Sequence, residues 1–531
     1  MIDSTKQLNA FEIKREITRI IKALEKSNIL VDTREFQTLD EQQDKNLLIK
    51  ILLKEFALCN EDNMPVIKLL ILRYLEEEQL IKEMETIIKT PTNDNNIKLH
   101  AIEVISEIKK DWHEQGYDTY LEYNEELVQK ETKELLESSQ DNTEIQLDFL
   151  DFFSAIPPKD QIMLLDSLEE DQQASDLANI LIPLFLSFPE DEIGTRALKM
   201  LGSTRSDYAY KALEQAATFF SLRTQQAIKK CLNELKLSGV NPNDSTRQID
   251  LKNSTFYIIP PDGEGNISLI YTENLTNDEA QNIRVVGIVI DDYSGVRECL
   301  GFSSISDFEA TFLMEKLTGS DFKTKIQPEM FKSLLIKAEK LNYKKAAPPY
   351  EYNCWKKLFL DIEQSKENID DFLEKNIQPK NITKDELNNF LNSDFTVPWF
   401  YSHNFGDETE VFFKELDNQL RTQNIEELDL DKLVEKGITT IFYDEEKTNW
   451  INRLKMSAYC KVLGKENETA QIIYSMTTNE SALQLLYTLV IKQSIFQYFL
   501  TMSLEENFLK YKQPDIENII SYLEKIWGFY V

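Results

Sequence analysis

Val285-Val286-Gly287-Ile288-Val289-Ile290-Asp291-Asp292-Tyr293-Ser294-Gly295 is the clearest strand sequence in a chain whose other patterns are mostly helical. β-branched side chains fit a buried pleated surface, so the run predicts a strand, and the two aspartates and glycine that follow predict the turn that ends it. Upstream, Phe256-Tyr257-Ile258-Ile259 and Ile267-Ser268-Leu269-Ile270-Tyr271 read as two strands joined by the turn Pro260 to Asn266. That is a hairpin signal, and with the opening stretch it gives three strands.

Downstream, Ser306-Asp307-Phe308-Glu309 is a capping box that opens a helix, and a second helix starts at Pro328 with Phe331, Leu334, Leu335, Ala338 and Leu341 on one face. Three strands and two helices predict a small α+β domain over residues 256–345. Ahead of it the polar, turn-rich stretch Ser238 to Ser254 predicts a linker, placed at 241–255. Behind it Ala346-Ala347-Pro348-Pro349 marks a second joint, and residues 346–531 read as a helical domain. Trp355, Leu358, Phe359 and Ile362 share one helical spacing there, and Leu387, Phe390 and Leu391 another after the cap at Thr383. From Trp450 onward many helices are apolar on more than one face, which predicts burial in a bundle.

Residues 1–240 are patterned almost wholly as helix. Ala101, Ile102, Ile105 and Ile108 form one stripe and Ile228, Cys231, Leu232 and Leu235 another. Asp141-Asn142-Thr143-Glu144 offers a capping box between its first and fourth residues. Asn96 to Ile102, Glu192 to Leu198 and Leu222 to Ile228 each pair a polar opening with a small residue followed by an aliphatic one. In this the region resembles the HEAT-repeat α-solenoids, most clearly over Ser187 to Val240. The resemblance implies a mainly α protein with an N-terminal solenoid over 1–240, and solenoids of that family generally serve as protein-binding scaffolds.

At 531 residues the chain exceeds what a single core usually serves, and a 42% hydrophobic content is enough to fill several. Cys59, Cys231, Cys299, Cys354 and Cys460 are odd in number, far apart and without a CxxC pair, which predicts reduced thiols and a cytoplasmic setting. No basic segment followed by an apolar one stands at Met1 to Lys6, and Ala482 to Leu500 is broken by Gln484, Thr488, Lys492, Gln493 and Gln497, so it reads as a core helix with no role in a membrane. The net charge of −33, from 92 acidic against 59 basic residues, repels phosphate backbones unless a basic patch forms in three dimensions. It serves solubility first and a basic partner protein second. Nothing in the pattern specifies an oligomeric state.

Several chemistries are excluded by spacing. Asp262-x-Glu264-x-Asn266 with Ser268 and Glu273 imitates a calcium loop, but Ile267 stands where the sharp turn requires glycine. Asp292-x-x-Gly295 imitates a magnesium element of GTPases, yet no GxxxxGK occurs in the chain. His100, His113 and His403 are too scattered for a zinc site, and Gly301-Phe302-Ser303-Ser304 does not complete GxSxG. No cofactor is expected. Cys299 and Cys354 read as core thiols.

Asp291, Asp292 and Glu298, clustered where a strand ends, are the catalytic candidates. Trp399, Phe400 and Tyr401 after Pro398 form an aromatic patch that could anchor an interface or pack its own loop. The expected function is a non-enzymatic scaffold or adaptor, and the alternative is a carboxylate- or metal-dependent enzyme at the end of the 285–290 strand.

Overall fold

Strand and helix periodicities sort the chain as follows in a computed structural model. It describes residues 8–24, 36–40, 42, 44–59, 63–109, 116–120, 142–171, 177–240, 250–275, 282–318, 323–420, 428–509 and 516–527. Two compact units are present, Met1–Thr132 and Lys133–Val531. The helical stretch expected as one solenoid over 1–240 therefore falls into both.

In the first unit, apolar residues three and four apart put one face of each helix inside. Ile13, Ile17 and Ile20 come from Ala10–Leu24, Leu48, Leu52 and Phe56 from Lys45–Leu58, and Ile67, Leu70 and Ile71 from Met64–Tyr74. Leu80, Met84 and Ile88 of Glu77–Lys89 and Ala101, Ile102 and Ile105 of Asn95–Ser106 complete the core, with Ile108 packed against its edge. Side chains satisfy the free N–H groups at helix starts: Asp44 accepts from Leu47 N at 3.0 Å and Asp94 from Asn96 N at 3.0 Å.

The second unit is built around a five-stranded antiparallel sheet in the order β4-β3-β2-β1-β5. Its strands are β1 Ser254–Ile259, β2 Ile267–Leu275, β3 Asn282–Ile290, β4 Val296–Ser306 and β5 Thr324–Lys325. Register places Ile270 opposite Gly287 and Leu269 opposite Ile288. Phe256, Ile258, Leu269, Tyr271, Val286 and Ile288 thus share one face, and the helix Pro328–Lys345 covers it with Phe331, Leu334, Leu335 and Ala338. On the opposite face, Ile270 and Val285 meet Ala310, Leu313, Met314 and Leu317 of the helix Asp307–Thr318. Burial on both faces explains why β3 is a continuous apolar run.

The sheet has two strands beyond the three expected. β4 was hidden because it is an edge strand whose outward residues, Glu298, Leu300, Phe302, Ser304 and Ser306, are exposed and mostly polar. Its unpaired edge is protected by Glu144, whose carboxylate accepts from both the backbone N–H and the hydroxyl of Ser303. Glu144 is therefore not the fourth member of a capping box: Asn142 caps the helix Thr143–Ala155 through Glu144 N and Ile145 N, and Asp141 lies outside the described residues. The capping boxes at Ser306 and Thr383 do form.

Helices Thr143–Ala155, Ala178–Ser187, Glu192–Leu201, Asp207–Ala216 and Leu222–Leu237 form a second core in this unit, and that core also contains Cys354 and Leu360. Polar contacts join the same partners. Lys211 pairs with Asp361, Gln215 Nε2 donates to Leu360 O at 2.7 Å, Tyr343 donates to Leu186 O at 3.1 Å and Asn353 Nδ2 to Ser187 Oγ at 2.9 Å. The helices between residues 143 and 237 and the segment after 328 thus belong to one packed unit, and residues 241–249 of the expected linker lie outside the described residues. Of the three stretches that carry the solenoid resemblance, each opens a helix; Ala101 and Ala197 are buried at the small position, whereas Ala227 is exposed.

Toward the C-terminus, Trp450, Leu454, Ala458 and Cys460 of Asp444–Leu463 and Leu486, Val490, Ile491 and Ile495 of Glu480–Leu509 enter the sheet's own core. The expected core helix over Ala482 to Leu500 is observed, and no described helix is long and apolar enough to cross a membrane.

Candidate functional site

Two turns of the sheet, one loop and one long helix converge at the end of β3. Asp291 closes the β3–β4 turn: Oδ1 accepts from Tyr293 N at 2.8 Å, Ser294 N at 2.5 Å and Gly295 N at 3.2 Å, and Oδ2 accepts from Ser294 Oγ at 2.7 Å. Gly295, at φ +92°, supplies the left-handed step the turn requires. Its neighbour Asp292 turns the other way and takes a forked pair of hydrogen bonds from Arg453, Nε to Oδ2 at 2.7 Å and a terminal nitrogen to Oδ1 at 3.0 Å.

Arg453 is 3% exposed and its other terminal nitrogen donates to Gly263 O at 2.8 Å and to Glu446 Oε1 at 2.7 Å. Glu446 is equally buried and its acceptor sites are filled: Oε1 also takes Tyr401 OH, and Oε2 takes Tyr293 OH and, at 3.2 Å, Asn449 Nδ2. Trp450 Nε1 donates to Tyr401 OH. Burial pushes the phenols of Tyr401 and Tyr293 well above their ordinary range, so both stay protonated donors. The β1–β2 turn joins through Asp262, which accepts from Glu264 N at 2.9 Å and Asn266 N at 2.9 Å, and through Glu264, which accepts from Ser402 N at 2.8 Å. Burial, opposed by the Asn266 bonds, raises the carboxyl of Asp262 above the usual range.

The candidates from sequence are therefore separated by role. Asp291 holds a turn, Asp292 holds Arg453, and Glu298 stands exposed on β4 opposite Val289. Asp262 and Asn266 form a hairpin turn with each other and not a cation loop. Trp399 and Tyr401 are buried and Phe400 is half-buried, so the aromatic patch packs its own loop: Trp399 lies edge-on to Trp450 at 5.6 Å between ring centroids. Sequence reading missed Glu446, Arg453 and Tyr293. The available signal was a lone arginine within the apolar helical run from Trp450 to Cys460, since a buried guanidinium requires carboxylates.

A second buried polar cluster lies between Pro328–Lys345 and the residues after it. Glu339 pairs with Lys356 at 2.8 Å and accepts from Tyr352 OH at 2.6 Å, while Lys332 donates to Gln215 Oε1 at 2.9 Å. Burial opposes ionisation of Glu339, and the charges of Lys356 and Lys332 outweigh it, holding its carboxyl below the usual range. Burial pushes Lys332 down to about 8, against the pull of Glu339.

Among the described residues no group of three or more His, Cys, Asp and Glu is placed to hold a metal ion, and His113 lies outside them. No protein-family profile, curated protein or solved structure matches the chain.

Proposed function

We propose that this chain is a non-enzymatic protein-interaction scaffold of the cytoplasm, with its helical array offering partner surface and its sheet and C-terminal helices fixing the geometry. The observation that carries the reading is a contrast. The polar groups at the end of β3 are engaged with one another, whereas large apolar side chains face solvent on the outer layer of the sheet: Leu300 and Phe302 on β4, and Phe308, 80% exposed, on the next helix. A site for acid–base work would leave a titratable group facing a cleft, and Asp291 and Asp292 instead accept from donors of their own neighbourhood. Contiguous exposed apolar surface marks contact surfaces in soluble domains, and these three side chains come from one strand and the helix that follows it. The HEAT-like pattern before residue 240 supports the same reading, and the overall charge of −33 favours basic surfaces among the partners.

The test is affinity capture with the full chain, followed by rebinding of the purified partner and comparison with a Phe302→Asp/Phe308→Asp variant. Stoichiometric rebinding that the variant weakens supports the scaffold. Absence of any stoichiometric partner, with circular dichroism showing an intact helical fold, counts against it.

A further inference from the structure

The surface charge of this acidic chain is reversed along two helices. Leu222–Leu237 exposes Arg223, Lys229, Lys230 and Lys236 against one acid, Glu234. Pro328–Lys345 exposes Lys337, Lys340, Lys344 and Lys345 against one acid, Glu329, near its opposite end. Together they present eight cations to two carboxylates, in a chain where acids outnumber bases 92 to 59. Several surface lysines elsewhere find carboxylates: Lys375 lies 2.5 Å from Glu367, Lys432 2.9 Å from Asp429, and Lys414 pairs with Glu410. Of the eight, only Lys230 has one, Glu234 at 3.8 Å, among the described residues. Lys236 and Lys345 lean on the rings of Tyr210 and Tyr293 at 5.2 and 5.7 Å.

The two helices are physically joined. Tyr343, adjacent to Lys344, packs on Phe219 at 5.7 Å and Phe220 at 4.6 Å between ring centroids, and Phe220 directly precedes Ser221, the N-cap of the first helix. Arg223 follows three residues after Phe220. The joint brings the lysine-bearing end of Pro328–Lys345 to the start of Leu222–Leu237, and the two basic stretches are taken together as one tract. It also carries apolar groups: Leu222 and Leu237, 77% and 88% exposed, mark the two ends of the first helix, about 22 Å apart at helical rise.

We infer that this tract is a docking surface for an acidic, leucine-bearing segment of a partner protein. The inference rests on the scaffold reading above and names the chemistry of one partner. Carboxylates of such a segment complement the exposed cations of the tract, and its apolar side chains cover Leu222 and Leu237, which a phosphate backbone cannot use. A duplex also brings one charge per ~1.7 Å into the field of a chain carrying −33, which an acidic peptide with a few carboxylates does not.

The experiment uses the full chain and a fluorescent amphipathic peptide of about 20 residues, long enough to cover the first helix, built from glutamate and leucine in helical spacing. Binding is read by anisotropy at low and physiological salt. The tract variants are Arg223→Glu/Lys229→Glu/Lys230→Glu and Lys337→Glu/Lys340→Glu/Lys344→Glu, and the control variant is Lys375→Glu/Lys414→Glu/Lys432→Glu, each checked for native circular dichroism. Salt-sensitive binding that weakens about tenfold in both tract variants and holds in the control supports the surface. No binding, or equal loss in the control, overturns it. Tighter binding of a duplex oligonucleotide or of phosphatidylserine vesicles through the same lysines also overturns it, in favour of a nucleic acid or a membrane surface. The two readings fail separately: a captured partner that both tract variants retain keeps the scaffold and removes this surface, whereas peptide binding without any captured partner does the reverse.

Discussion

Arg453 meets Asp292 with two arms of its guanidinium fork while a third nitrogen reaches Gly263 O and Glu446, so one buried cation ties two turns of the sheet to the helix Asp444–Leu463. Breaking a buried pair from one side leaves the other charge uncompensated, at a cost of about 3–5 kcal/mol. Asp292→Ala is therefore expected to lower stability by about 3 kcal/mol, and Arg453→Met by at least as much because Glu446 loses its cation. Urea unfolding followed by tryptophan fluorescence reads this directly, since Trp399 and Trp450 pack beside the network. A double-mutant cycle should give a coupling above about 1 kcal/mol; near-additive single changes would mean that the fork does not hold the turns.

Gly295 and Gly239 both have positive φ, +92° and +97°, yet their surroundings differ. An added Cβ at Gly295 would overlap the backbone oxygen of Ala338 and the amide of Asn342, which itself accepts from Val296 N at 2.7 Å and donates to Val296 O at 3.1 Å. At Gly239 the same atom meets open space. Gly295→Ala should cost about 3 kcal/mol or more, combining conformational strain with the loss of the Asn342 bonds, and Gly239→Ala about 1 kcal/mol. Equal effects in equilibrium unfolding would show that backbone conformation alone decides both.

What was legible in the sequence followed from side-chain periodicity, and what was not depended on partners distant along the chain. Val285 to Ile290 was readable as a strand because both its faces are buried, and Phe331, Leu334, Leu335 and Ala338 because they repeat at helical spacing. β4 escaped because an edge strand exposes every second residue, so Glu298 and Ser304 read as loop. The surroundings of the candidate aspartates were hidden for a related reason: Asp292 is engaged by Arg453, 161 residues away, and nothing local to Asp292 announces a guanidinium. The linker expected near 241–255 rests on turn-rich composition, and composition cannot report that Gln215 and Lys332, from opposite sides of it, are hydrogen-bonded.

Lys332 gives a pH dependence with a definite sign. Its ordinary value of 10.5 applies in the unfolded chain, and burial pushes it to about 8 in the folded one. Below pH 8 the group is charged in both states and the full cost of burying that charge is present. Between pH 8 and 10.5 the folded chain releases the proton first, so the cost diminishes as pH rises. Lys332→Met should thus stabilise the protein at pH 7, by up to about 3 kcal/mol less the lost bond to Gln215, and its advantage should shrink steadily from pH 8 to pH 10. Denaturation curves at several pH values compare the two chains, and a constant gap would show that Lys332 titrates normally.

The second unit predicts where the chain can be divided. The division between the compact units falls between Thr132 and Lys133 along the chain, whereas a cut at residue 240 would separate helices that share a core with Cys354 and Leu360. It would also remove the pairing of Lys211 with Asp361 and of Glu144 with Ser303, the bonds from Gln215 to Leu360 and Lys332, and the packing of Tyr343 on Phe219 and Phe220. Each lost contact is modest, but together they take from the buried Lys332 its Gln215 acceptor and leave a strand edge unprotected, changes of about 1–3 kcal/mol apiece against a total stability of about 5–15 kcal/mol. A fragment of residues 133–531 should therefore unfold cooperatively near the temperature of the same unit in the full chain, with both helical and β signals in its circular dichroism. A fragment of residues 241–531 should expose apolar surface, bind a hydrophobic dye and aggregate, and mixing it with residues 133–240 should restore part of its order. If 241–531 instead folds by itself with an undiminished transition, the helices before 240 are an independent domain, as the sequence pattern alone suggests, and the contacts of Gln215 and Tyr343 across residue 240 are incidental to its stability.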